Sequence, residues 1–138
     1  AQLDLQNTSD IKELLKIYNW FNISEFGKQT DKQSWLLVQH ADQDSDFQEK
    51  ILRILESLWP KGETDASNYA YLFDRVAASF SDPSKRKLQR YGTQGSCVGA
   101  GLWEPLPMEK SEKIDELRAS VGLGSMQDYK NMFKDLCH

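Results

Sequence analysis

Chemistry-bearing residues gather in three short stretches of this chain. The first follows the apolar run Trp35-Leu36-Leu37-Val38 and holds Gln39, His40, Asp42, Asp44, Asp46, Phe47 and Gln48. His40 is the only internal histidine, since His138 is the last residue. An imidazole titrates near neutrality, and a carboxylate two residues on could orient it as a general base. A hydrogen-bonded structural histidine is the alternative. Three aspartates at alternate positions also invite a metal. An EF-hand loop beginning at Asp42 needs Gly at its sixth position and Glu at its twelfth, where this chain has Phe47 and Arg53. Ligands from one short loop do not close a transition-metal site, and no HExxH spacing supplies the rest. We assign no metal and no cofactor, and read Asp44 and Asp46 as residues at a helix start.

The second stretch is Tyr71 with Asp74 and Arg75, spaced to share one polar helical face. An arginine fork there would suit a carboxylate or phosphate; a surface ion pair worth little is the rival. The third is Tyr91-Gly92-Thr93-Gln94, a phenol, a hydroxyl and an amide beside a flexible glycine. It suits hydrogen bonding to a small polar ligand, and equally an ordinary turn. No serine sits in a nucleophile elbow, and Cys97 lies far from His40 in sequence. Gly99-x-Gly101 lacks the lysine and helix start of a phosphate loop. The basic run 85–87 with Arg90 reads as a solvated turn.

Elements must bring these stretches together. After a lead-in over residues 1–7, Thr8 or Ser9 can cap a helix with Ile11, Leu14, Leu15 and Tyr18 on one face. Residues 19–30 read as a connection lying on the core, with a turn at Gly27. Asp31 is the candidate N-cap of a second helix running to about Ala41, on which Leu36 and His40 share a face. Asp44 or Ser45 caps a third, with Phe47, Ile51, Ile54, Leu55 and Leu58 inward and Pro60 and Gly62 as stops. Thr64, Asp65 or Ser67 starts a fourth with the stripe Tyr69, Leu72, Phe73, Val76 and Phe80, leaving Asp74 and Arg75 off it. Extended pieces near 88–93 and 102–106 form a hairpin. Ser111 opens a fifth helix with Ile114, Leu117 and Val121 inward, and Ser125 a last one with Met126, Tyr129, Met132, Phe133 and Leu136. The fold class is therefore mainly α: one domain over residues 8–138, of five or six helices with a small β-hairpin near residues 88–106.

At 138 residues and 39% hydrophobic, the chain can bury a core of its own. A formal charge of −4 argues against nucleic acid and anionic lipid as partners, and no apolar run reaches the length of a membrane span. The sequence starts Ala-Gln-Leu without methionine, as after signal-peptide removal, although an artificially trimmed chain would look the same. Cys97 and Cys137 are the only cysteines; they permit one disulfide, and two unpaired thiols are the alternative. We expect the bond, because the glycine-punctuated segment lacks a dense core and a link to the last helix would hold it down.

Together the stretches resemble a bacterial domain family of unknown function, DUF6624. Carrying the resemblance are Trp35-Leu36-Leu37-Val38-Gln39-His40-Ala41-Asp42 with Asp44 and Phe47-Gln48, then Asn68-Tyr69-Ala70-Tyr71-Leu72 with Asp74-Arg75, then Tyr91-Gly92-Thr93-Gln94. Residues 106–108 and the run from Ile114-Asp115 through Arg118 to Val121-Gly122-Leu123 also resemble it. Residues 95–101, with Cys97 and glycines, depart from its pattern. The resemblance implies a mostly helical bacterial domain and no activity.

The leading expectation is a secreted or periplasmic protein with a polar pocket lined by His40, Asp42, Gln48, Asp74, Arg75, Tyr91, Gln94 and Arg118. It would bind a small polar or anionic molecule. As an enzyme it would use His40 as general base, Asp42 to orient it and Arg75 as anion clamp, in hydrolysis or group transfer. The rival is a secreted interaction module for a host or partner protein, its polar residues forming a structural hydrogen-bond network.

Overall fold

A computed structural model describes residues 7–138. The lead-in expected over 1–7 lies outside the described residues, apart from Asn7. The chain is mainly α, with a two-stranded antiparallel hairpin, as its sequence predicts. It is organised as two units, Ala1–Leu72 and Phe73–His138. No helix of the described residues is long and apolar enough to cross a membrane.

The first unit holds α1 (Thr8–Leu14), α2 (Ile23–Gln39), α3 (Ser45–Leu58) and the start of α4 (Ala66–Ala78). Asn7, rather than Thr8 or Ser9, caps α1 by accepting from the Asp10 N–H at 3.1 Å. α2 begins eight residues before the expected cap at Asp31, because the segment 23–26 is already helical. Gly27, at φ 86°, bends the chain inside it, where a β-carbon would be strained. Asp44 caps α3 through the Phe47 N–H at 3.2 Å. Leu58 ends α3, a 3-10 turn through Pro60 follows, and Gly62 closes it in the left-handed region. Inside α3, Ile51, Leu55 and Leu58 are buried together with Gln48, while Phe47 and Ile54 are half-exposed. Both α1 and α3 pack on α2. Below Gly27 an aromatic cluster forms, with Phe21 and Phe26 edge to face at 5.6 Å and Tyr18 on Phe26 at 5.2 Å.

The second unit holds the end of α4, β1 (Gly95–Gly99), β2 (Leu102–Pro105), α5 (Ile114–Ser120) and α6 (Met126–Phe133). The first hairpin strand lies at 95–99, not at the expected 88–93. Gln89 of the earlier segment makes only an isolated parallel bridge to Met108, and the N–H groups of Arg90, Tyr91 and Thr93 donate to Asp74 instead of to a ladder. Glycines at 95 and 99, which read as turn residues in sequence, instead let β1 lie close to its partner. A β-carbon on Gly95 would collide with the Glu104 carbonyl and the Trp103 ring. Cys97 is bonded to Cys137, which lies beyond α6. Trp103 of β2 stacks on Phe133 of α6 at 4.9 Å and meets Tyr129 edge to face at 5.5 Å.

Several expected stripes are corrected. Phe80, Met132 and Leu136 are exposed. Asp74 was expected off the apolar stripe of its helix and is fully buried. In α5 it is Arg118 that is buried, while Ile114 and Leu117 are half-exposed. Asp74 and Arg118 are buried because side-chain hydrogen bonds meet their polar groups.

Candidate functional site

In the first unit the candidate residues gather where α2 ends. Gln48, in the first turn of α3, is buried, and its Nε2 donates to the carbonyls of Val38 at 3.1 Å and Gln39 at 3.3 Å and to Asp42 Oδ1 at 3.3 Å. One amide thus holds the last turn of α2 and the following loop to the start of α3. His40 caps the helix: its backbone N–H donates to the Leu36 carbonyl at 3.2 Å, while its side chain is exposed. Leu36, one turn earlier, is exposed as well.

Gln39 points the other way and is buried. Its Nε2 donates to the Tyr71 carbonyl at 3.1 Å, which fixes the orientation of the amide. Its Oε1 has no hydrogen-bond partner among the described residues. One turn earlier Trp35 is also buried, and its Nε1 likewise lacks a partner. The Trp35 ring packs against Tyr71 with centroids 5.8 Å apart. A buried acceptor and a buried donor without partners thus share the buried face of α2, one turn apart. Such groups cost about 1–3 kcal/mol each when left unpaired.

Asp31, read in sequence as a helix cap, is a buried hub. It accepts from Trp20 Nε1 at 2.8 Å, Thr64 Oγ1 at 2.6 Å, the Asp65 N–H at 3.1 Å and Asn68 Nδ2 at 3.1 Å. Burial pushes its carboxyl above the ordinary 3.8, against the pull of those hydrogen bonds.

In the second unit the structure brings Asp74, Arg75, Tyr91, Gln94 and Arg118 together. Asp74 Oδ1 accepts from the N–H groups of Arg90 at 2.9 Å and Tyr91 at 3.0 Å. Its Oδ2 accepts from the N–H of Thr93 at 2.9 Å and the Thr93 hydroxyl at 2.8 Å. Burial raises the Asp74 carboxyl above 3.8 despite these donors. Gly92, in the middle of this loop, has φ 67°, and a β-carbon there would strike the Met126 and Met108 side chains.

Arg118 closes the loop from α5. Its Nη1 donates to the Tyr91 carbonyl at 2.9 Å and its Nε to the Gly124 carbonyl at 2.6 Å, with the guanidinium 4.4 Å above the Tyr129 ring. Tyr129 in turn donates to the Thr93 carbonyl at 2.8 Å. Gln89, passed over in the sequence, is buried and reaches the backbone of both the loop and the segment just after β2: its Nε2 donates to the Gln94 carbonyl at 2.8 Å and the Leu106 carbonyl at 2.9 Å, and its Oε1 accepts from the Gln94 N–H at 3.0 Å. Gln94 Oε1 accepts from Arg75 Nη1 at 2.9 Å, and the Arg75 guanidinium lies 4.5 Å above Phe80. The five expected residues of this unit form one network. His40, Asp42 and Gln48 form another group in the first unit.

Among the described residues no set of three His, Cys, Asp or Glu side chains is placed to hold a metal ion. The model of a family of unknown function, DUF6624, matches residues 1–137. No curated protein and no solved structure matches the chain.

Proposed function

The chain belongs to the DUF6624 family of unknown function, and on that footing we propose that it binds a small polar or anionic molecule at the C-terminal end of α2. The observation that carries the reading is the unpartnered pair on the buried face of α2: the buried Trp35 Nε1 donor and the buried Gln39 Oε1 acceptor. A ligand that offers one acceptor and one donor, as a carboxamide or a carboxylic acid does, would relieve both. His40 follows Gln39 in the chain, on a turn that Gln48 fixes from inside. Should chemistry follow binding, His40 is its general base, with Asp42 beside it in the same loop, and the reaction is hydrolysis or group transfer.

A bacterial, exported protein fits the Cys97–Cys137 bond, because disulfides persist in oxidising compartments. A second reading, an exported module that binds a protein partner, is favoured by the second-unit network. There Asp74 accepts four hydrogen bonds from the protein itself, and Arg118 donates to backbone carbonyls.

Titration of the native protein with acetamide, acetate and inorganic phosphate, followed by NMR, separates the two. Ligand binding should move the Trp35 indole N–H resonance. The shift should be lost in His40→Ala with the melting midpoint unchanged. Silence of that resonance to all three probes at millimolar concentration would sink the binding reading. Collapse of His40→Ala without any ligand dependence would point to the structural reading.

A further inference from the structure

Away from His40, α1 and α3 border a cleft of about 460 Å3, within the size range of small-molecule sites. Each helix offers it a stripe of mixed character. On α3, Phe47, Ile51 and Ile54 fall at helical spacing, with Lys50 beside Ile51. From α1 and the turn after it come Lys12, Leu15 and Lys16. The floor is therefore hydrocarbon and aromatic, and ammonium groups stand along the rim. Lys12 is engaged: it pairs with Asp44 and sits 5.0 Å from the Phe47 ring centroid. That contact also holds the Asp44 carboxyl below its ordinary value. Lys16 makes only a solvent-exposed pair with Glu13 at 2.9 Å, of the kind worth little. Lys50 has no ion-pair partner among the described residues. Asp44 and Asp46 are the carboxylates of the lining, so its ionic groups sum to one net positive charge.

We propose that this cleft is a binding site for an amphipathic organic monoanion, an alkyl or aryl chain ending in an acid group. Leu15, Phe47, Ile51 and Ile54 receive the apolar part, and burying it supplies the driving force. Lys50 and Lys16 meet the acid group, and long lysine stems keep the charge in water while the methylenes cover the apolar floor. Asp44 and Asp46 disfavour a second negative charge on the ligand, which sets the class as monoanions rather than phosphate esters. The site lies wholly in the first unit and does not depend on the reading given for His40.

Decanoate is the probe, and 1-decanol its uncharged control. Binding to the native protein is read by displacement of 1-anilinonaphthalene-8-sulfonate fluorescence and checked by isothermal calorimetry. Decanoate should bind several-fold more tightly than decanol. Lys50→Gln should remove most of that preference and leave decanol binding as it was. Ile54→Glu should weaken decanoate further by placing a like charge in the cleft. Both positions are on the accessible side of α3, and an unchanged melting midpoint verifies the fold of each variant; Lys16→Gln stands in for either variant that melts early. Equal affinity for decanoate and decanol, an undiminished preference in Lys50→Gln, or no decanoate binding to the native protein would each overturn the proposal. Loss of the His40 response with intact decanoate binding, or the reverse, separates the two sites.

Discussion

Thr93 gives both of its donors to one oxygen of Asp74, the backbone N–H at 2.9 Å and the hydroxyl at 2.8 Å. The other oxygen takes the N–H groups of Arg90 and Tyr91. A single carboxyl group therefore shapes the loop that carries Tyr91, Gly92, Thr93 and Gln94, and both of its oxygens accept. Asn is nearly the same size, but its amide has one accepting atom and one donating atom. In Asp74→Asn one pair of donors must face an NH2 group. We expect a loss of about 1–3 kcal/mol, the penalty for buried donors left unmet. Thr93→Val removes only the hydroxyl bond and should cost about 0.5–1.5 kcal/mol. Urea unfolding measures both; an Asp74→Asn midpoint equal to that of the parent would remove the carboxylate from its organising role.

The same carboxylate sets a pH dependence. Burial raises the folded-state values of Asp74 and Asp31 above 3.8, while in the unfolded chain aspartate titrates near ~3.9. Between those limits the folded state holds more protons than the unfolded one. Stability from these groups is thus fully present below the unfolded value and is lost as pH rises through the folded values. Asp44 runs the opposite way, because the Lys12 hydrogen bond lowers its carboxyl. Its contribution is present above the ordinary value and is lost as pH falls through the folded one. Removing the Asp74 titration isolates the first effect. The stability gap between the parent protein and Asp74→Asn should widen as pH falls from 7 toward about 4. Denaturant midpoints across that range test it, and a gap that narrows on acidification has the wrong sign for a buried carboxylate with a raised value.

Periodicity made the helices legible. The apolar spacing of Ile51, Leu55 and Leu58 and the caps at Asp44 and Ser125 read through directly, because local sequence controls both. Hub residues did not. Asp31 looks like a cap in sequence because aspartate favours helix starts, yet its partners Thr64, Asp65 and Asn68 lie more than thirty residues away. Asp74 read as a pocket residue or half of a surface ion pair, off the apolar stripe, and its four donors explain its burial. The misplaced strand has the same origin. Residues 88–93 have strand-like composition, but Asp74 takes the N–H groups that a ladder would need. Of the candidate site, residue types were visible and their grouping was partly so: Asp74, Arg75, Tyr91, Gln94 and Arg118 do meet. The unpartnered state of Trp35 and Gln39 was not visible, since it depends on which neighbours fail to reach them.

Cys97 and Cys137 are joined across a sequence separation of 40 residues. That bond ties β1 to the chain end just past α6, where Gly101 also donates its N–H to the Cys137 carbonyl at 2.7 Å. Noncovalent contacts between the hairpin and α6 include Trp103 of β2 against Tyr129 and Phe133 and the ion pair of Glu104 with Lys130 at 2.9 Å, while Val98, Leu102, Met132 and Leu136 are exposed. Covalent closure adds to this attachment. In the chain-entropy model a closed loop of this length contributes about 4 kcal/mol by restricting the unfolded chain. Paired replacement, Cys97→Ser with Cys137→Ser, should lower the unfolding free energy by about that amount. Reducing agent should lower the parent midpoint and leave the double variant unmoved. The parent, kept in oxidising buffer, should show no titratable thiol in its native state. Two accessible thiols there, or a double variant as stable as the parent, would mean that the noncovalent contacts alone hold the hairpin in place.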